Sequence, residues 1–170
     1  ARRLFPLAVR ACEDRLAVKT LSPLERVNTV VDLSRTYAAW AIQCSPQKKL
    51  VYWDQANAVL ENWLDKNPQD VFQLLIFRQV AHVALMRGKF SRQISVGTVD
   101  PEPTRKESLQ YLRQCRNVAE KTLQKINKAL IASQDQKLSA FALLRLQSAL
   151  EKDLSQAWIE QALCFDPGSP

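Results

Sequence analysis

Glycine is scarce in this chain, three residues in 170. Hairpin turns and nucleotide cradles both lean on glycine, so an all-β fold and a backbone-built phosphate site are disfavoured together. The sequence contains no GxGxxG, no phosphate-binding loop, no GxSxG and no HExxH. Histidine is scarcer still, with His82 alone, so the usual zinc clusters cannot be assembled and no metal is expected. The four cysteines, Cys12, Cys44, Cys115 and Cys164, are dispersed and none forms a CxxC pair. They read as small buried hydrophobes in a reducing compartment, which places the chain inside the cell, in the cytoplasm, rather than as a disulfide framework. No run of about 18 apolar residues exists, so no bilayer span is expected. The opening Ala1-Arg2-Arg3-Leu4-Phe5-Pro6 has no secretory hydrophobic core.

What is present is helical punctuation. Ser22-Pro23, Ser45-Pro46 and Asn67-Pro68 recur at nearly constant spacing. Each pairs an N-cap residue with the ring that suits the first helical position. The expectation is an all-α chain, a single domain over 1–170, of about seven antiparallel helices in helical hairpins. The first covers about Leu4 to Lys19, the second Pro23 to Cys44 and the third Pro46 to Lys66, with Trp53, Ala56, Leu60, Trp63 and Leu64 on one side. The fourth, Pro68 to Arg87, is apolar almost all round and reads as the central element. Gly88 is read as its end, and Lys89 to Pro103 as the one long loop. A fifth helix follows over about Thr104 to Ser133, a sixth near Gln136 to Glu151 and a seventh near Asp153 to Phe165, before the turn residues Asp166 to Pro170.

Three segments carry a family likeness. Ala56-x3-Leu60-x2-Trp63-Leu64-x3-Pro68 and Ile159-x2-Ala162-Leu163-x2-Asp166-Pro167 resemble the second helix of a tetratricopeptide repeat. Ala81-x2-Ala84-x3-Gly88-x-Phe90 is similar to a first helix with its small residues, turn glycine and following aromatic. The helices are longer than the family's, Phe90 to Thr104 interrupts the alternation, and Leu143 stands where a small residue is expected. The resemblance implies an irregular α-solenoid or bundle with a grooved surface for a protein or peptide. No carboxylate-clamp pattern can be placed, and none is carried over. The chain ends where another repeat would begin, so it reads as part of a longer array and of a larger assembly.

The net charge of +7 favours anionic partners: acidic protein, nucleic acid or a phospholipid surface. The strongest local signal is the fifth helix. At about 100° per residue, Lys106, Arg113, Lys121, Lys125 and Lys128 fall within a third of its circumference. Leu109, Leu112, Ala119, Leu123, Ile126 and Leu130 take the other side. The ridge reads as a solvated face, as a docking strip for an acidic partner, or as a contact for RNA or DNA backbone. Only Tyr111 supplies an aromatic nearby, which argues against base stacking.

No catalytic residue is identified. His82 has no Ser, Cys or carboxylate at i±3 or i±4 and reads as a satisfied core or groove histidine. The carboxylates are scattered among basic residues, as on solvated helix faces. Trp40, Trp53, Trp63 and Trp158 lie on apolar stripes and are expected in the core, with one or two able to line a groove. The expected function is a non-enzymatic interaction or scaffold module that holds a peptide or helix and needs no cofactor. A nucleic-acid-associated helical protein is the alternative.

Overall fold

The structure, a computed structural model, describes residues 4–68, 72–97, 99–132 and 138–165. These form six helices: α1 (Leu4–Ala17), α2 (Pro23–Gln43), α3 (Pro46–Lys66), α4 (Gln73–Ser95), α5 (Glu102–Ile131) and α6 (Ala140–Leu163). No strand occurs among the described residues. The chain divides into two compact units, Ala1–Gln79 and Val80–Pro170.

In the first unit α1 packs on α2 and α2 on α3. The helix starts follow the proline signals. Ser22 closes a capping box over α2, its hydroxyl accepting from the Glu25 N–H while the Glu25 carboxylate accepts from the Ser22 N–H. The Ser22 hydroxyl also donates to that carboxylate at 2.6 Å. These bonds, the side-chain one foremost, hold the Glu25 carboxyl below its ordinary range. The buried stripe of α3 is Trp53, Ala56, Leu60 and Trp63, alternating three- and four-residue steps as an antiparallel helix pair requires. An aromatic ladder joins the three helices: Phe5 stacks on Trp40 at 5.8 Å, and Trp40 on Tyr52 at 4.0 Å. Arg26 donates to the Leu16 and Val18 carbonyls and so tethers the end of α1.

Asn67-Pro68 does not start α4. Asn67 instead ends α3, its side-chain amide donating to the Trp63 carbonyl at 2.8 Å. Its own carbonyl accepts from Gln73 Nε2, in the first turn of α4. Helix α4 begins at Gln73, and residues 69–71 lie outside the described residues.

In the second unit α5 packs on α6. The buried stripes are Ser108, Leu112, Cys115, Ala119, Thr122 and Ile126 on α5, and Leu143, Leu146, Leu150, Asp153, Ala157 and Glu160 on α6. Both repeat in heptads, the seam of helices that cross at a shallow angle. The α5 seam is rotated from the all-leucine side. Leu109, Leu123 and Leu130 are only half-buried, and Ser108, Cys115 and Thr122 go inside. Satisfied hydroxyls make that affordable: Ser108 Oγ donates to the Gly88 carbonyl and Thr122 Oγ1 to that of Val118.

Helix α4 buries Ala81, Val83, Ala84, Leu85, Arg87, Gly88, Ser91 and Ser95, more than half its circumference. Three expectations are corrected here. Gly88 does not end the helix, which continues to Ser95, because glycine serves close approach to α5 rather than a turn. The loop expected over 89–103 accordingly shrinks to the connection between Ser95 and Glu102. The expected sixth and seventh helices are one continuous α6, since Asp153 is a buried mid-helix residue rather than the start of a new helix. Ser139 caps that helix, accepting from the Ala142 N–H. The expected sixth-helix start at Gln136, the fifth-helix end at Ser133 and the terminal turn residues lie outside the described residues.

Candidate functional site

Two features of the second unit carry chemistry. The first is a polar seam between α4 and α6. His82 Nδ1 lies 3.1 and 3.2 Å from the two Asp153 carboxylate oxygens, and Asp153 is buried. Seven residues on, buried Glu160 receives Arg92 Nε on Oε2 at 2.6 Å, while Lys89 Nζ lies 3.6 Å from Oε1 and Gln156 Nε2 donates to that same oxygen. Spacing along α6 sets these acids one heptad apart on its core side. Sequence reasoning missed both pairings, because His82 meets its carboxylate only through tertiary folding.

A carboxylate at Nδ1 fixes a histidine's tautomer and orientation, as in many general-base pairs. A nucleophile would have to stand nearby. Cys115 Sγ points to the Asp153 carbonyl at 3.9 Å, but burial first and the Asp153 charge second push its thiol up to about 12. A thiol held neutral is a packing group. Among the described residues no three His, Cys, Asp or Glu side chains stand close enough together to hold a metal ion.

The second feature is the outer face of α5. Lys106, Arg113, Lys121, Lys125 and Lys128 are all exposed, on the side away from the buried stripe. Lys106 contacts Glu102 at 3.8 Å. An open cleft of about 640 Å³ runs along this face, lined by Glu102, Lys106, Leu109, Gln110, Arg113, Gln114, Asn117 and Val118. It includes two of the five ridge residues, and Lys121, Lys125 and Lys128 continue beyond it toward the end of the helix.

The tryptophans divide. Trp53 and Trp63 are buried and Trp40 is half-buried in the aromatic ladder. Trp158 is the correction, 49% exposed on α6. The Arg116 guanidinium sits 3.2 Å from its ring centroid. Arg87 similarly lies 4.1 Å over Tyr111 while reaching Glu107. Sequence periodicity could not separate Trp158 from the others, because its cover comes from a residue 42 positions earlier.

Among the described residues no helix is long and apolar enough to cross a membrane. No family model, no curated protein and no solved structure matches this chain.

Proposed function

We propose that the chain is a non-enzymatic interaction or scaffold module, an irregular tetratricopeptide-like array of helical hairpins that holds a peptide or helix of a partner protein. The observation carrying this reading is the α5 face, where exposed cations border a cleft long enough for several turns of a bound segment. Cations at a rim raise association rates with an acidic partner and select against basic ones. The buried polar groups of the second unit are consistent with a structural role, since each carboxylate is held by a cation or histidine within the core. The experiment is retention of partners by the parent chain and by the triple variant Arg113→Glu, Lys121→Glu, Lys128→Glu. Loss of acidic partners at unchanged melting temperature supports the reading. Equal retention by both at low salt removes the ridge from it.

One observation favours a second reading, nucleic-acid backbone. The outer face interleaves its cations with Gln110, Asn117 and Gln124, amides that donate well to phosphate oxygens. Binding through phosphates would weaken about tenfold or more between 50 and 200 mM salt. Capture by an apolar groove would not.

A further inference from the structure

Arginines of the second unit that sit partly withdrawn from water each meet a carboxylate, with one exception. Arg87 meets Glu107, Arg92 meets Glu160 and Arg105 meets Glu102. Arg116 meets none. Its Nη1 donates to Gln161 Oε1 at 2.7 Å and its plane lies over Trp158. Its Nε is buried with no hydrogen-bond partner, and among the described residues no carboxylate lies within ion-pair distance. The side chain is therefore held rigidly on two supports, charged, and without a counter-ion.

Such a group favours an anion supplied from outside. Guanidinium presents a planar fork that matches a carboxylate, and stacking on an indole fixes that fork before the ligand arrives. Beside it, the end of α6 and the turn that follows expose apolar side chains: Trp158 and Ala162 on the helix and Phe165 just past it, with half-buried Leu154 one turn before Trp158. From Leu154 to Ala162 is about 12 Å along α6, two turns of a partner helix. Tryptophan and arginine are the side chains most often found to dominate binding energy at interfaces.

We propose that Arg116 and Trp158 are the anchor point for an acidic amphipathic helix of a partner protein. A partner carboxylate pairs with the Arg116 guanidinium, and apolar side chains of the same helix cover Trp158 and Phe165. This rests on the interaction-module reading and names a site separate from the basic ridge. A nucleic-acid backbone fits less well, since it offers nothing apolar to cover Phe165. A second copy of this chain docking face to face would bring Arg116 toward its symmetry mate, like charge on like.

The test uses the intact chain with ¹⁵N-labelled tryptophan indoles and a fluorescein-labelled, end-capped synthetic helix carrying Glu and Leu at i, i+3, i+4 spacing. A control peptide has every Glu replaced by Gln. Peptide anisotropy reads binding anywhere on the chain. The indole signal missing in Trp158→Phe reads this site. Expected is a shift of the Trp158 signal with the Glu peptide, still signals from Trp53 and Trp63, and affinity reduced about tenfold or more in Arg116→Gln, about 1.4 kcal/mol. Arg116→Lys, which keeps the charge and loses the planar stack, should fall between. Rising anisotropy with a still Trp158, or an Arg116→Gln variant that binds like the parent, overturns this site and leaves the module reading standing. No anisotropy change at all overturns the site, and the module reading is then decided by partner retention. A Trp158 shift equally strong with the Gln peptide, with a short single-stranded RNA, or with protein concentration alone also overturns it, in favour of apolar contact, nucleic acid or self-association.

Discussion

Gly88 on α4 and Leu112 on α5 touch so closely that a Cβ at position 88 would lie 2.8 Å from Leu112 Cγ and 3.2 Å from the Leu112 backbone nitrogen. The Ser108 hydroxyl bonds the Gly88 carbonyl from the same side. Gly88→Ala therefore gains helix propensity, about 1 kcal/mol, but overpacks a site where neither the branch carbon nor the backbone can retreat cheaply, about 1–3 kcal/mol. Net destabilisation is expected, read as a lower denaturant midpoint. Trimming Leu112 in the same background should recover part of the loss, so the two changes should be less than additive.

Glu160 is the buried acid on which two cations converge. Glu160→Gln leaves Arg92, itself largely buried, without its charge partner. Breaking one side of a buried pair costs about 3–5 kcal/mol, a large share of the stability of a typical domain. Chemical denaturation measures it. A change under about 0.5 kcal/mol would mean that water already screens the pair.

Cys115 makes stability depend on alkaline pH. Its folded pKa of about 12 lies above the ordinary value of 9.0. Below pH 9 the thiol is neutral folded or unfolded, so it adds no pH dependence. Above pH 9 only the unfolded chain releases the proton, and the folded state loses ground as pH rises toward 12. Unfolding of the parent and Cys115→Ala should therefore diverge across that window and run parallel below it. Disulfide-exchange reagents at neutral pH should label Cys115 last, and only on unfolding.

Limited trypsin digestion checks the extended α4. Lys89 and Arg92 would be open sites if the chain left the helix at Gly88. In the structure both lie inside α4 with their side chains on Glu160. They should resist cleavage while the unit is folded. Early cutting at either bond would place the helix end near Gly88 after all.

The starts of α2 and α3 were legible because serine followed by proline admits one good placement at a helix start. The same logic misplaced Asn67, since an asparagine caps either end and only its bond to the Trp63 carbonyl decides which. Gly88 carried a similar ambiguity between stopping a helix and letting another approach. The ridge cations were readable from periodicity, because exposure on a helix follows from phase alone. Arg116 was not. Its significance lies in Trp158 beneath it and in the absence of an acid beside it, and both are facts of tertiary folding.

The two acids of α6 have a further consequence, for alignment. His82 and Lys89 are one heptad apart on α4, as Asp153 and Glu160 are on α6, so the two helices run in the same direction with matched steps. An apolar seam alone tolerates sliding by seven residues, since leucine replaces leucine. Here a slip in one direction would bring Leu146 opposite His82, Asp153 opposite Lys89 and Glu160 opposite Val96, and a slip in the other would bring Glu160 opposite His82 and Asp153 opposite Leu75. Each strands a buried charge or a polar ring against hydrocarbon, at a cost of several kcal/mol. The charged rungs thus select one alignment from a set of near-equivalent hydrophobic ones, and a chain that first collapses out of step is driven to let go and try again.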